Sequence, residues 1–486
     1  MSPLEICLVS SEVAPFAKTG GLADVTASLA RYLDKAGHDV RTFLPLYRRI
    51  EKGKHVLTPV PGLSDLSMRM GARTFRYSIL STPMPKSTAL LYLVRCPELY
   101  DREGIYDARG DEHLRFAFLS RAAIECCQHM RFAPHVFHVN DWHTALIPLY
   151  LRTVYAWDKL FERSRTVLTL HNNAYQGAFP TSVAGEIQLE NEARHFHQEH
   201  WREGRLSFLE TGILYATALT TVSRTYAREI QGDELGMGLQ QLLRQRDDHL
   251  FGIVNGVDVD EWNPAIDTLI PHRFTKEDLS GKRAMKAALM KRVGLPHDPR
   301  APVAGIVSRF TAQKGFDLLF DSMTVFLQRE NMRLVVLGSG EKRFEDWFGW
   351  LARTFPDKVA YKNGYDNELA HWIEAGSDLF LMPSRFEPCG LNQMYSQAYG
   401  TVPVVRRTGG LADTVESWDP RSGRGAGFVF EQYDAHAFFG ALEAALRAWR
   451  DPATWSRLVH NGMSQDFSWE RQIQRYVDLY RRLPQL

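Results

Sequence analysis

Short runs that are apolar from end to end, with helix-like segments between them, recur along the chain and leave it few possible folds. The first series holds ICLVSSEV, HDVRTFLPLY, STALLYLVRC, VFHVND, TVLTLHNNAYQG and ALTTVS. Between them lie ASLARYLDKAG, read as a helix closed by Gly37, and the helical HLRFAFLSRAAIECCQHM. A strand wetted on one face alternates polar and apolar residues. These strands do not, so a sheet covered on both faces is expected, which is the parallel, doubly wound arrangement.

Near residue 250 the character changes. FGIVNGVDVDEWNPAID is rich in turn formers, includes Pro264 and reads as a linker. A second series follows: VAGIVSRF, RLVVLGSG, KVAYKNG, DLFLMPSRF and TVPVVRR. The pattern predicts an α/β chain with two Rossmann-like domains, at 1–250 and 301–460, joined by a linker and entry segment at 251–300. Residues 461–486 hold FSWERQIQRYVDLYRRL, an amphipathic helix that Pro484 ends. A length of 486 residues fits two cores better than one.

Several function classes drop out. A net charge of +1 offers no footprint for a nucleic acid. The five cysteines (Cys7, Cys96, Cys126, Cys127 and Cys389) form no CxxC pair, so neither a disulfide framework nor a zinc site is expected, and a cytoplasmic location fits. No apolar run reaches the ~18 residues that span a membrane. A signal peptide is not expected, because a basic n-region is missing and Glu5 precedes the first strand.

In open parallel sheets ligands sit beyond the carboxyl ends of the strands, and chemistry-bearing residues gather there. KTGGLADV and RRTGGLADTV are near-copies about 390 residues apart, each after a strand-like run. In the first, Gly20 and Gly21 let backbone approach a ligand, the helix beginning near Leu22 favours an anion, and Lys18 adds a point charge. VSRFTAQKGFD places Arg309 and Lys314 around a turn, a cation pair suited to a diphosphate. SRFEPCGLNQ sets Glu387 after an apolar run, with Gly390, Leu391 and Asn392 opening a helix; an acid there can hold sugar hydroxyls. HVNDWHT and TLHNNAYQG supply Asp141, His143, His171 and Asn172. His135, His138 and His143 lack the spacing of common metal sites, and the acid pair Asp258 and Asp260 falls in the linker, so no metal is expected.

Taken in order, KTGGLADV, HVNDWHT, HNNAYQG, TTVSRTYAREI, VNGVDVDEWNP, SRFTAQKGFD, EPCGLNQMYSQAYG and RRTGGLADTV resemble the bacterial and plant-plastid glycogen/starch synthases over almost the whole chain. The resemblance implies the GT-B fold, with two domains facing a cleft and the C-terminal helix crossing back to the N-domain. It also implies transfer of glucose from ADP-glucose, with retention, to the non-reducing-end 4-hydroxyl of an α-1,4-glucan. No cofactor or metal is implied; the partners are a nucleotide-sugar donor and a glucan acceptor, with no membrane and with room for a homo-oligomer.

By the same resemblance, Lys18 helps bind the diphosphate, with Gly20 and Gly21 lining the donor–acceptor junction. Arg309 and Lys314 resemble the pair that neutralises the departing diphosphate. Glu387 resembles the acid that holds the transferred glucose, with backbone at Cys389, Gly390 and Leu391 nearby. His171 and Asp141 resemble the groups beside that sugar, and Thr408, Gly409 and Gly410 lie on the phosphate side. Asn173, Glu210, Arg224 and Met237 depart from the family's commonest residues; many relatives carry lysine where this chain has Glu210.

Rival readings are distinguishable. A sucrose- or trehalose-type transferase shares the basic pair but not KTGGL with HNNAYQG and EPCGLNQ. An epimerase on this fold forms product without an acceptor. A dinucleotide dehydrogenase needs a GxGxxG that is missing after the first strand, and a non-catalytic glucan binder has no need for Lys18, His171, Arg309, Lys314 and Glu387 together.

Overall fold

The computed structural model describes residues 2–107 and 109–485. The chain forms two compact units, the first from Met1–Val222, Ala227–Gly256 and Trp469–Leu486, the second from Ser223–Tyr226 and Val257–Ser468.

In the first unit the strands are β1 (Glu5–Val9), β2 (Asp39–Pro45), β3 (Thr58–Pro59), β4 (Leu66–Met70), β5 (Arg73–Pro83), β6 (Leu90–Arg95), β7 (Val136–Asn140), β8 (Arg165–Leu170), β9 (Ala178–Pro180), β10 (Arg205–Ser207), β11 (Ala218–Thr221) and β12 (Leu250–Gly252). The main sheet runs β12-β11-β8-β7-β1-β2-β6-β5-β3, with β4 on β5. From β12 to β6 it is parallel, and there ICLV and VFHV are buried at nearly every position, as strands covered on both faces must be.

The sequence reading did not single out β3, β4 and β5, which pair antiparallel at the sheet's end. Their physics differs: much of RTFRYSILSTP alternates exposed and buried residues, which suits a sheet wetted on one face. The helix Gly21–Lys35 follows β1 and closes as expected, with Gly37 in the left-handed region at φ 87°.

The helix Trp469–Arg482 belongs to this unit. Trp469 stacks on Tyr32 at 6.4 Å between ring centroids, and the Tyr480 hydroxyl lies 2.6 Å from His138 Nδ1. A Cβ on Gly256 would sit 2.6 Å from the Trp469 ring, so the chain needs glycine where it passes this helix.

The second unit holds β13 (Val303–Phe310), β14 (Arg333–Gly340), β15 (Val359–Asn363), β16 (Leu379–Met382), β17 (Val402–Arg406) and β18 (Phe428–Phe430), all parallel, in the order β15-β14-β13-β16-β17-β18. Phenylalanine and aliphatic side chains fill both faces. Behind the sheet, Lys282 is buried and donates to Ala375 O, Tyr399 O and Thr401 Oγ1 at 3.2, 2.8 and 2.8 Å; burial lowers its pKa to about 7. Among the described residues, no helix is long and apolar enough to cross a membrane.

Both sheets reverse their winding once near the middle. In the first unit the chain builds outward from β1 through β2, then returns to β7 on the other side of β1; in the second it builds from β13 to β15 and returns to β16. Such switch points open a crevice at the strands' carboxyl ends.

Candidate active site

In the first unit, the loop after β1 is organised by Glu12, a buried acid that the sequence reading passed over. It accepts from Thr19 N (2.5 Å), Thr19 Oγ1 (2.6 Å), Gly20 N (3.3 Å) and the Tyr106 hydroxyl (2.7 Å). Gly20 caps the helix that begins at Gly21, and a Cβ on Gly21 would meet nothing within 4 Å, so a ligand has room to approach the start of that helix. Lys18 is exposed and pairs with Asp24 at 2.7 Å. Surface pairing of this kind is weak, so the lysine is readily exchanged onto a ligand phosphate.

Across the switch point, β7 ends at Asn140, and Asp141 opens the short turn of helix that follows. Asp141 has φ 52°, a left-handed conformation that a non-glycine residue adopts at a cost. That turn aims its carboxyl at the next strand end, where Oδ1 accepts from His171 N at 2.7 Å and Asn172 N at 3.4 Å. Burial pushes the Asp141 pKa up to about 7 against those two bonds.

His171 Nε2 lies 2.9 Å from Asn140 Oδ1, while Asn140 Nδ2 donates to Val9 O at 3.0 Å. With the amide oriented by Val9, Oδ1 is the acceptor, so His171 carries its proton on Nε2 and keeps an Nδ1 lone pair. Burial lowers its pKa to about 3, so the ring is neutral. Asn172 Oδ1 accepts from Ala174 N at 3.1 Å, which bends the loop, and Asn173 Nδ2 ties it to Leu235 O at 2.8 Å. That bond gives the polar Asn173 side chain a structural role in this loop.

The three histidines weighed as metal ligands go to separate places. His135 accepts from Glu5 N at 3.0 Å, His138 lies between Thr169 and Tyr480, and His143 packs on Trp142 and Phe116.

Asp141 gives a pH prediction. Its raised pKa means the fold favours the protonated acid, so its contribution to stability is complete below the usual carboxylate range near pH 4 and is lost as pH rises to about 7. Asp141→Asn keeps an oxygen acceptor and never ionises. Urea unfolding is expected to show the variant equal to the parent at pH 4 and more stable at pH 8 by roughly 2–4 kcal/mol. An unchanged pH slope would contradict the assignment.

In the second unit, Arg309 is the next-to-last residue of β13 and exposed, and its guanidinium bonds to no group among the described residues. Five residues on, Lys314 Nζ lies 2.6 Å from Glu387 Oε2, which also accepts from Ser384 Oγ at 3.1 Å. Gly315, at φ 71°, leaves no space for a side chain: a Cβ would lie 2.0 Å from Pro383 O. Glycine there brings the turn after β13 against the end of β16, which is how Lys314 reaches Glu387.

The later glycines answer to backbone crowding. Gly410 N donates to Glu387 O at 3.0 Å, and a Cβ on Gly409 or Gly410 would lie 1.9 Å from Glu387 O or 2.0 Å from Cys389 O. The TGGL segment therefore supports the loop that carries Glu387, with Thr408 buried beneath it. Cys389 is buried, Gly390 has φ 72°, and Leu391 is the N-cap of the short helix Asn392–Ala398, so Gly390 and Leu391 turn the chain into that helix.

The structure thus gathers Lys18, Gly20, Gly21, Asp141, His171 and Asn172 at strand ends of the first unit. Arg309, Lys314, Glu387, Cys389, Gly390, Leu391, Thr408, Gly409 and Gly410 gather at strand ends of the second. Glu12, Asn140, Tyr106 and Ser384 were missed. An acid two serines beyond the apolar run ICLV, as in SSEVAPF, was the signal for Glu12.

Residues 5–245 match the family model described as the starch synthase catalytic domain, and residues 290–459 match glycosyl transferases group 1. The chain is 44% identical, over 99% of both chains, to a glycogen synthase of Anaeromyxobacter sp. (strain Fw109-5). It is 43% identical, again over 99% of both, to that of Myxococcus xanthus (strain DK1622). Among solved structures it is similar to the catalytic domain of Starch Synthase IV from Arabidopsis thaliana bound to ADP and acarbose, with a TM-score of 0.92, 33% identity and full coverage of both chains.

Proposed function

This chain belongs to the family of glycogen and starch synthases, with the GT-B fold, and from that premise we propose that it lengthens an α-1,4-glucan with glucose from ADP-glucose. The observation that carries the reading is the group at the second switch point. An exposed Arg309 and a Lys314–Glu387 pair at 2.6 Å stand near the ends of the adjacent strands β13 and β16. Arg309 and Lys314 receive the diphosphate, and Glu387, released from Lys314, accepts from the sugar's hydroxyls. Helix N-termini and Lys18 add positive potential. Neutral His171 and Asp141 hold the glucose by hydrogen bonds.

Transfer with retention proceeds on one face of the sugar. The bond from C1 to the phosphate oxygen breaks with its electron pair going to ADP, while the acceptor's 4-oxygen bonds to C1 on that same face. The 4-hydroxyl proton passes to the leaving phosphate oxygen. The sequence motifs single out no pair of carboxyl groups in the nucleophile and acid/base roles that a double displacement needs. The protein's part is to position the groups and stabilise the charge, and no metal enters this step. Cytoplasmic synthesis suits five cysteines that are all buried and outside any disulfide.

The test incubates the protein with labelled ADP-glucose or UDP-glucose and short maltooligosaccharides, with and without EDTA. Elongation faster with ADP-glucose, at an initial rate that EDTA does not change, supports the proposal. Turnover of donor without acceptor would point instead to an epimerase or hydrolase.

A further inference from the structure

The segment ARHFHQEHW crosses the first unit between β9 and β10 and takes no part in the transfer described above. His197 is the N-cap of the short helix Gln198–Arg202 and His200 lies three residues on, so the two share a face, with ring centroids 4.4 Å apart. The third member comes from the next helix, Phe208–Tyr215. Glu210 is 4% exposed, and its two carboxylate oxygens lie 2.8 and 3.0 Å from His200 Nδ1. One ligand atom from each of His197, His200 and Glu210 fits within 4.8 Å of the others.

Two features mark this group as unfinished. Nδ1 of His197 is buried and has no hydrogen-bond partner among the described residues, an expense that folds avoid. Glu210 also stands in a capping-box pattern, Ser207-Phe-Leu-Glu210, and Ser207 Oγ accepts from Glu210 N at 3.2 Å. The acid of such a box usually turns back to the cap's own N–H, but here it faces the histidines.

From this juxtaposition we infer that His197, His200 and Glu210 form a site for one divalent transition-metal ion of the zinc type, closed by water. Two imidazoles and a carboxylate are the donor set that zinc takes with a fourth position open. Bonds of about 2.0–2.2 Å put tetrahedral ligand atoms about 3.3 Å apart. His200 and Glu210 therefore separate by about 0.5 Å as His197 closes in.

The ion cross-links the histidine segment to the helix bearing Glu210. The start of that helix is already tied to the sugar loop, because Phe208 N donates to Gly177 O at 3.0 Å and Leu209 N to Gln176 O at 3.1 Å. The site is thus a brace behind His171 and supplies no group to the reaction.

The full chain, dialysed against chelator and then freed of it, is titrated with Zn²⁺ by calorimetry and with Co²⁺ by visible absorption. One equivalent of Zn²⁺ is expected, with tetrahedral cobalt bands and a higher Tm. Glu210→Gln and His197→Ala are expected to weaken Zn²⁺ binding at least 100-fold and abolish the Tm response. His195→Ala, whose ring bonds to Tyr215, keeps both. Circular dichroism and the initial transfer rate of each variant show whether it is folded. Absence of a stoichiometric site in the parent, or equal binding by folded Glu210→Gln and His197→Ala, would overturn the inference.

Discussion

Lys314→Ala is expected to lower kcat by about 100- to 1000-fold, the usual consequence of removing one group that stabilises charge in a transition state. The KM for the glucan is expected to change little, because the lysine acts on the diphosphate. In the free protein this ammonium is held 2.6 Å from Glu387, with the two side chains 20% and 6% exposed. Removing the lysine also leaves a buried carboxylate with only Ser384 beside it. Breaking a buried pair from one side costs about 3–5 kcal/mol, so the variant loses stability as well as rate. The double variant Lys314→Ala/Glu387→Gln isolates the stability effect: thermal unfolding recovers toward the parent once the unpaired carboxylate is neutralised. Steady-state rates at saturating glucan provide the check. Near-normal turnover by Lys314→Ala would remove the residue from the leaving-group role.

Gly410→Ala is the second large effect, and it acts through the backbone. The added methyl would lie 2.0 Å from Cys389 O and 2.5 Å from Cys389 Cα. Those atoms belong to main chain, so the EPCG loop itself must move. Overpacking a tight site costs about 1–3 kcal/mol, and here the strain falls on the loop that aims Glu387. A Tm several degrees lower and at least tenfold less transfer are expected. Gly440→Ala supplies the contrast: it lies in the helix Ala435–Trp449, where a Cβ meets nothing within 4 Å. Alanine there is expected to leave activity alone and raise stability by about 0.5–1 kcal/mol. Equal behaviour of the two variants would contradict the crowding argument.

The central strands were legible because burial on both faces leaves no polar positions, and ICLV, VFHV and LFLM carry that mark unmistakably. The antiparallel edge was harder. Arg73–Pro83 mixes serine, threonine and arginine with its apolar residues, and its identity as strand depends on pairing with Leu90–Arg95. Site residues that follow strands directly, such as Arg309 and Glu387, could be placed from the order of runs alone.

What sequence could not show was which groups meet. The Lys314–Glu387 pair spans 73 positions, and the bond from Asn140 that sets the His171 tautomer spans 31. The second TGGL motif looked like a phosphate turn because glycine there is needed; the structure shows that the nearby Glu387–Cys389 backbone requires it. Likewise nothing in the sequence reading connected Glu210 with His197 and His200; only the fold brings the three side chains together.

The most direct test of the account is the linkage formed when the protein elongates a maltooligosaccharide with ¹³C-labelled ADP-glucose, read by NMR as the reaction starts. The account predicts a new α-1,4 bond at the non-reducing end, ADP released in equal amount, and the same signals lost in Lys314→Ala. A β-linked product, or label incorporated at the reducing end, would contradict it.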